Sequence, residues 1–324
     1  MNRIDVTDIN DFKFGHDQNE KAGTGCTVIV AKDGATAGVD VRGGAPGTRE
    51  TDLLKSENLV QKIHGLFLAG GSSFGLQTGS GVMDALERRG IGFDTPTAKV
   101  PIVPGAILYD LNVGGSAIRP DAAMGQRACE NALSNQPFLM GNYGAGTGAT
   151  VGKLLGNELA MKGGIGTYAV QIHDLQVGAV VAVNCFGDVI HPSNRERIAG
   201  LYNRKERVFL HTEKLLLKHV LSPSTNRFSK NTSIGAVLTN AVLTKPEANK
   251  LAALAHDGFA RTIMPAHTFV DGDTIFTMSS GKVKVDLNSL SYLYAHVVEQ
   301  AVLQAAYAAE SCYGIVANRD LKLE

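Results

Sequence analysis

Glycine placement is the feature that most constrains the fold of this chain. The 324 residues include 37 glycines, many of them gathered in "VRGGAPG", "LAGGSSFG" and "NYGAGTGATVG". These clusters show no collagen-like period, and they indicate tight turns packed against strands. The chain is also 44% hydrophobic, so it can bury a large core. We therefore expect a globular protein in which short turns connect closely packed elements.

Predicted strands and helices interleave between these turns. The segment "IHGLFLAGGSSFGLQTGSGVMDALERRG" reads as a strand, a glycine-rich turn and an amphipathic helix, the order of an α/β layer. No linker, repeat or low-complexity segment divides the chain, so we expect one domain over residues 1–324. Other strands are predicted in "TGCTVIVAKDGATAGVDVRGG" (a hairpin turning at residues 32–34), in "GGIGTYAVQIHDLQVGAVVAVNCFGDVI" (two strands around a His-Asp turn), in "TSIGAVLTNAVL" and in "TIFTMSS". Other helices are predicted in "MGQRACENAL", "NRKERVFLHTEKLLLKHV" and "LSYLYAHVVEQAVLQAAYAA", and after the N-cap Thr244, whereas "LSPSTNRFSKN" has the composition of an exposed loop.

Charge and cysteine usage exclude several classes of partner. Lys+Arg and Asp+Glu both total 31, so we expect neither nucleic acid nor a membrane surface as a partner. The start "MNRIDVTDINDFKFG" is acidic where a signal peptide is basic, which favours a cytoplasmic location. The four cysteines are far apart and lack histidines at ligand spacing, which argues against a zinc site or a disulfide scaffold: they are Cys26, Cys129, Cys185 and Cys312.

A phosphate-binding loop is suggested by "GATVGK" but does not match the full motif. The motif G-x-x-x-x-G-K-[ST] requires a glycine where this chain has Thr147 and a hydroxyl residue where it has Leu154. Nucleotide binding is therefore not expected.

Ser73 is one candidate nucleophile. Residues 71–75 match G-x-S-x-G between a predicted strand and a predicted helix, the setting of a nucleophile elbow. Such a serine also needs a histidine and an acid later in the chain; His256, His267 and His296 are available, and none is specially marked. A glycine-rich turn that merely closes a strand onto a helix explains the same residues.

Thr232 in "SKNTSIG" is the other candidate nucleophile. It opens a predicted strand directly after Asn231 and a polar loop, a placement that suits an N-terminal nucleophile released by self-cleavage. The hydroxyl attacks the preceding carbonyl, the ester hydrolyses, and the freed α-amine, with a reference pKa near 8, serves as the base. Alternatively, Thr232 is an ordinary strand residue, or Asn-Thr-Ser is a glycosylation acceptor, which the expected cytoplasmic location disfavours.

Four sequence blocks resemble a family of self-cleaving aminopeptidases and amidases. The blocks are "AGVDVRGGAPGTRETDLL", "FLAGGSSFGL", "KGGIGTYAV" and "AHDGFARTIMPAHTFVDGDTIF". The family contains L-aminopeptidase/D-esterases, β-aminopeptidases and 6-aminohexanoate-oligomer (nylon-oligomer) endo-hydrolases. The resemblance implies a four-layer αββα fold of the N-terminal-nucleophile type, cut into a large and a small chain. Here the cut would fall between residues 231 and 232, so that Thr232 begins the small chain.

The resemblance also implies roles for further residues. Lys153 resembles a lysine near the nucleophile, and Asn184 resembles an asparagine that helps to hold the oxyanion. Asp271 and Asp273 fall where the nylon-oligomer branch has two carboxylates, whereas the aminopeptidase branch has Ser and Glu there and a Ser nucleophile. Tyr109 resembles a tyrosine that lines the site. Without the resemblance, a solvated lysine, a turn asparagine and a hydrated loop would explain Lys153, Asn184 and the two aspartates.

The sequence therefore predicts an amide hydrolase that acts through an acyl-enzyme on Thr232 without any metal or organic cofactor. The resemblance implies linear 6-aminohexanoate oligomers as substrate, with short peptides, β-peptides or amino-acid amides as the alternative. It also implies a homo-oligomer, a tetramer or larger, of cleaved protomers. Two other hypotheses stay open: an esterase of the α/β-hydrolase type that uses Ser73, and an uncleaved binding protein without activity.

Overall fold

The computed structural model describes residues 1–218, 220–221 and 231–321. Most of the predicted loop "LSPSTNRFSKN" therefore lies outside the described residues. The described strands are β1 (Asn2–Ile4), β2 (Lys13–Asn19), β3 (Thr24–Val41), β4 (Thr48–Arg49), β5 (Lys62–Ala69), β6 (Phe93–Asp94), β7 (Lys99–Val100), β8 (Gly105–Ile107), β9 (Thr150–Val151), β10 (Met161–Lys162), β11 (Gly164–Ile172), β12 (Leu175–Val183), β13 (Asp188–Ile190), β14 (Arg197–Ala199), β15 (Tyr202–Asn203), β16 (Val208–Phe209), β17 (Ile234–Ala241), β18 (Ile263–Met264) and β19 (Thr274–Val283). The described helices are α1 (Thr78–Glu87), α2 (Ala122–Leu133), α3 (Thr212–Lys218), α4 (Lys245–Thr262) and α5 (Leu287–Ala308).

A large mixed sheet organises the fold. Its strand order is β1-β11-β12-β17-β19-β3-β5-β8-β4, and β2 pairs with β3 beside this path. Most neighbours are antiparallel, but β17 runs parallel to β19, and β5 runs parallel to β8. The predicted α/β class is thereby confirmed, with a sheet that mixes both pairing modes.

Helices cover the sheet through apolar side chains. Val82 and Leu86 of α1 share a buried cluster with Ala128 of α2 and with strand residues of β3 and β5. Helices α4 and α5 bury their apolar faces in a second cluster with β11, β12, β17 and β19. A third cluster joins residues of β3 and β5 with residues of β12, β17 and β19. These clusters account for the high apolar content of the chain.

Several predicted elements are confirmed. Strands β11 and β12 form the predicted hairpin around the His-Asp turn, and α5 is the predicted long helix. Thr244 caps α4 in a capping box, because its hydroxyl accepts from the Glu247 N–H while the Glu247 carboxylate accepts from the Thr244 N–H. At these places the local sequence determines the secondary structure.

Two predictions were wrong. The hairpin expected at residues 32–34 is absent, because β3 continues through them and pairs with β5 on both sides of an irregularity between Val30 and Ala35. Gly34, with φ +73°, accommodates the bulge without a reversal of the chain. The helix expected over "NRKERVFLHTEKLLLKHV" is limited to α3 in the described residues. The preceding residues form the β15–β16 pair, in which Tyr202 packs edge-on against Phe209 at 5.2 Å between ring centroids.

Strand pairing brings three strand ends to one place. Ala182, near the end of β12, is paired with Ile234 at the start of β17, and Ile234 is paired with Thr274 at the start of β19. The residues just outside these ends are Asn184, Thr232 and Asp273. The pairing therefore collects three of the predicted site residues at one edge of the sheet. No helix in the described part of the chain combines the length and the apolar character that crossing a membrane requires.

Candidate active site

The segment of residues 231–233 is held from both sides by hydrogen bonds. Asn231 donates its N–H to the Val270 carbonyl at 3.1 Å, and Thr232 donates its N–H to the Asn184 carbonyl at 3.0 Å. The Ser233 N–H donates to Asp273 Oδ1 at 2.8 Å. Thr232 itself is only 4% exposed. The candidate nucleophile therefore lies in a fixed backbone rather than in a mobile loop.

The Thr232 hydroxyl points back at the peptide bond that precedes it. Its Oγ1 donates a hydrogen bond to the Asn231 carbonyl oxygen. The same oxygen accepts the Gly272 N–H at 2.8 Å. A side chain placed on residue 272 would strike this arrangement, since an added Cβ would lie 2.7 Å from Thr232 Oγ1. Gly272 thus lets a backbone donor approach both the hydroxyl and the carbonyl.

Lys153 and Asn184 form a buried pair beside Thr232. Lys153 Nζ donates to the Asn184 carbonyl oxygen at 2.9 Å and to Asn184 Oδ1 at 2.8 Å. The Thr150 N–H also donates to Oδ1, which directs the amide nitrogen of Asn184 to the Tyr109 carbonyl at 3.0 Å. Burial lowers the pKa of Lys153 to about 7, although nearby groups such as Cys185 and Asp271 oppose the shift. Lys153 can therefore change its protonation near neutral pH.

The two aspartates contact the neighbours of Thr232. Asp271 accepts the Phe186 N–H at 3.2 Å and both the N–H and the hydroxyl of Thr268. Burial, followed by the charge of Asp273, raises the pKa of Asp271 to about 6. Asp273 accepts from Ser233 with Oδ1 and from His267 with Oδ2. Among the described residues, neither carboxylate has a hydrogen bond to Thr232 itself.

The Ser73 turn lacks the partners of an elbow nucleophile. The left-handed residues of the turn are Gly71 and Ser72, with φ values of 78° and 56°, so the strain falls before Ser73. Ser73 is exposed and has no hydrogen bond to a histidine within the part of the chain that is described. The buried carboxylate of Asp110 holds this turn by accepting the Gly71 N–H at 2.7 Å and the Thr24 hydroxyl at 2.7 Å.

A cavity of about 220 Å³ lies beside Thr232. Tyr109, predicted to line the site, forms part of its wall. Ser73 lines the same cavity, although it is not bonded as a nucleophile. Among the residues that the structure describes, the lining has no carboxylate, ammonium or guanidinium group; the described lining residues are Ala45, Pro46, Gly47, Ser72, Ser73, Ile107, Tyr109 and Thr232.

Sequence reasoning missed two participants. Gly272 was seen only as the middle of "DGD", yet its N–H reaches the carbonyl of Asn231. His267 was considered only as a partner for Ser73, but the structure places its ring against Asp273 at 2.8 Å. The spacing of residues 267–273 within one loop was the available signal for both. Among the described residues, no cluster of three or more His, Cys, Asp or Glu side chains could hold a metal ion.

Comparison with known proteins identifies the family of the chain. The profile of peptidase family S58 matches residues 4–319. The chain belongs to peptidase family S58. Its relatives include an uncharacterized aminopeptidase of Mycobacterium tuberculosis (strain ATCC 25618 / H37Rv), which is 36% identical over 98% of this chain and 97% of the relative. The 6-aminohexanoate-oligomer endohydrolase of Kocuria sp. (strain KY2) is 33% identical over 89% of this chain and 81% of that enzyme.

Solved structures share the fold. A β-aminopeptidase of Burkholderia sp. superimposes with a TM-score of 0.65, at 20% identity, over 96% of this chain and 89% of that chain. The L-aminopeptidase D-Ala-esterase/amidase of Ochrobactrum anthropi, described as a variant of the Ntn hydrolase fold, gives a TM-score of 0.64, at 17% identity, over 98% and 91% of the two chains. The family and its relatives make this protein a hydrolase that acts on amide bonds.

Proposed function

We propose that the chain cuts itself between Asn231 and Thr232 and then hydrolyses linear amides through an ester on Thr232. The observation that carries this proposal is the pairing of the Thr232 hydroxyl with the Asn231 carbonyl, whose oxygen also accepts the Gly272 N–H. A nucleophile, its target and a donor for the developing charge therefore share one site. The products are a large chain of residues 1–231 and a small chain of residues 232–324.

The self-cleavage proceeds in two steps. Thr232 Oγ1 attacks the Asn231 carbonyl carbon and loses its proton, and the Asn231 oxygen takes up negative charge that the Gly272 N–H stabilises. The C–N bond then breaks, the Thr232 nitrogen takes a proton, and an ester joins Asn231 to Oγ1. Water hydrolyses the ester, leaving a carboxylate on Asn231 and a free amine on Thr232.

The freed amine then serves as the base in turnover. It takes the proton of its own hydroxyl as Oγ1 attacks a substrate amide, and it gives that proton to the leaving amine. The Asn184 carbonyl accepts from this nitrogen before cleavage and is placed to keep it oriented afterwards. The Asn184 amide nitrogen stabilises the substrate oxyanion by turning from the Tyr109 carbonyl. Lys153, with its lowered pKa, disfavours protonation of the nearby amine when it is charged.

The two aspartates belong to the proposed catalytic group, but neither forms a covalent bond to the substrate. Asp273 holds the Ser233 backbone next to the nucleophile, and Asp271 fixes the Phe186 N–H beside Asn184. Their negative charges also favour the ammonium form of Lys153. Catalysis by this group needs no cofactor.

Linear 6-aminohexanoate oligomers are the proposed substrate class. Such oligomers have no side chains and are uncharged between their ends. The cavity beside Thr232 is small, and its described lining residues carry no charged group. Relatives about a third identical are named as endohydrolases of these oligomers. The second candidate is an aminopeptidase or amidase activity on short peptides, β-peptides or amino-acid amides, which is favoured by the relatives named as aminopeptidases.

A matched pair of substrates separates the two candidates. We expect an N-acetylated 6-aminohexanoate trimer to be cut at least as fast as the free trimer, because the described lining of the cavity provides no carboxylate for an ammonium group. An aminopeptidase would require the free amine, so loss of activity on the acetylated trimer would contradict the oligomer proposal.

Denaturing mass analysis tests maturation itself. We expect two fragments from the wild-type protein and one uncut, inactive chain from T232A. An uncut chain whose esterase activity disappears in S73A would support the Ser73 hypothesis, and an uncut chain without amide hydrolysis would support the binding protein.

The proposal includes the architecture and assembly of the family. The cluster shared by β3, β5, β12, β17 and β19, with helix-covered clusters beside it, supports a single domain of four αββα layers. We also propose a homo-oligomer of cleaved protomers, a tetramer or larger. Sedimentation of the matured protein tests this, and a monomer would contradict it.

A further inference from the structure

His267 lies in the loop before β19 and has no role in the steps above. Its ring Nδ1 donates to Asp273 Oδ2 at 2.8 Å, and its backbone N–H donates to the same oxygen at 3.0 Å. Since a carboxylate oxygen only accepts, two donors of one residue fix Oδ2. Oδ1 is thereby directed at the Ser233 N–H.

The bond from Ser233 to Asp273 differs from the other bonds of the segment. Backbone groups of Val270, Gly272, Asn184 and Thr274 also hold Asn231, Thr232 and Ser233. The Ser233 N–H, by contrast, donates to a side chain, the carboxylate of Asp273. The orientation of the Ser233 N–H therefore depends on the position of the Asp273 carboxylate, which the two donors of His267 hold.

A second histidine, His256, packs against the ring of His267. The rings of His256 and His267 meet edge to face, with centroids 4.8 Å apart. His256 is buried in α4 and bonded through Nε2 to the Asp40 carbonyl at 3.1 Å. His267 also has a left-handed backbone with φ +56°, which is uncommon for residues other than glycine, although Asn, Asp and His adopt it more often than most. This backbone lets its N–H and its ring reach one carboxylate oxygen.

We propose that His267 is a positioning residue for the Thr232 nucleophile. It fixes Asp273, Asp273 fixes the Ser233 N–H, and Ser233 keeps the adjacent Thr232 hydroxyl on the Asn231 carbonyl. The inference rests on the function proposed above. A displacement of about 1 Å in a reacting group costs on the order of a hundredfold in rate, so loss of this support slows self-cleavage strongly.

The test compares H267G with H267N. Both residues tolerate the left-handed backbone, but only asparagine retains a side-chain N–H that can reach Asp273. In purified, uncut precursor we expect H267G to slow self-cleavage at least about tenfold and H267N to stay within about threefold of wild type. Imidazole added to H267G restores part of the rate. In matured enzyme, kcat falls in H267G while KM is unchanged.

Controls separate positioning from a general loss of structure. H296N changes a partly exposed histidine on α5, and we expect wild-type cleavage from it. If H267G is insoluble, H267A, which has no side-chain donor for Asp273, takes its place. In a double-mutant cycle, H267G adds little to the cleavage defect of D273N, because both changes break one chain of contacts.

The outcomes are distinct from those of the proposed function. Wild-type cleavage and turnover in H267G, with T232A uncut and inactive, would overturn the positioning role alone. Equal slowing in H267G and H267N, without imidazole rescue, would also overturn it. Activity in T232A would instead overturn the proposed function.

Discussion

The segment of residues 231–233 and the turn of residues 71–75 each place a hydroxyl residue at a strand end, and Thr232 and Ser73 line the same cavity. Their surroundings differ. Thr232 is buried and has a carbonyl, a backbone donor and ionisable groups close by. Ser73 is exposed, and no histidine is bonded to it within the described residues. A strand end alone therefore does not make a nucleophile, because the groups that activate the hydroxyl must converge on it.

Removing the Thr232 and Ser73 hydroxyls in turn should produce the largest difference in self-cleavage and amide hydrolysis. We expect T232A to stay uncut and to lose amide hydrolysis by a factor of about 10³ or more, as is usual when a nucleophile is removed. S73A should be cut normally and keep its activity within about tenfold, because no histidine in the described residues is bonded to the exposed Ser73 hydroxyl to activate it. Mass analysis and initial rates measure both effects. The reverse pattern would move the active site to the turn.

Closing the space beside Thr232 should have the next largest effect. In G272A the new Cβ meets Thr232 Oγ1 and the Ala45 carbonyl, each at 2.7 Å. We expect self-cleavage to slow by about a hundredfold, since the hydroxyl or its donor must move. G115A is the matched control, because nothing lies within 4 Å of an added Cβ there. Cleavage of G272A at the rate of G115A would remove Gly272 from the mechanism.

Lys153 should make the stability of the Thr232 region depend on pH. Its pKa is lowered from 10.5 to about 7 by burial, so between those values the unfolded chain binds a proton that the folded chain does not. Wild-type stability therefore rises with pH in this window, by at most about 1.4 kcal/mol per pH unit for one group. K153M lacks this contribution. The free energy of unfolding of K153M should therefore exceed that of wild type by the largest amount near pH 7. Denaturant unfolding from pH 7 to pH 10 measures it, and parallel curves would contradict the buried, neutral lysine.

A substitution that weakens the Ser73 turn should lower the free energy of unfolding and leave kcat nearly unchanged. D110A leaves the Gly71 N–H and the Thr24 hydroxyl without their acceptor, which costs about 2 kcal/mol of unfolding free energy. We expect kcat to change less than about fivefold. Urea unfolding and steady-state rates on the same preparation test this, and D110N, which can still accept from Gly71, is the milder control. A large fall in kcat without loss of stability would give the turn a catalytic role.

Sequence reasoning predicted the fold best where local chemistry decides the structure. The cap at Thr244 and the two strands around the His-Asp turn required no knowledge of distant residues. The bulge in β3 could not be predicted, because only pairing with β5 on both sides keeps residues 32–34 extended. The residues before α3 likewise form strands rather than helix, because β15 pairs with β16 and Tyr202 packs against Phe209.

The candidate site was predicted unevenly for the same reason. Thr232 was marked by its place at the start of a predicted strand, and the family resemblance marked Lys153, Asn184, Asp271 and Asp273. The structure brings these five residues together. The His267 contact to Asp273 forms within the loop before β19. The Gly272 contact to Asn231 depends on how that loop folds over residues 231–233. Hydrogen bonds between segments so far apart in sequence leave little trace in either segment alone.

Time-resolved mass analysis of purified precursor tests the central claim most directly. The account predicts that a chain of residues 232–324 beginning with Thr232 appears at a rate independent of protein concentration, and that amide hydrolysis appears with it. A rate that rises with concentration, a small chain with another first residue, or full activity before any cut would contradict the account.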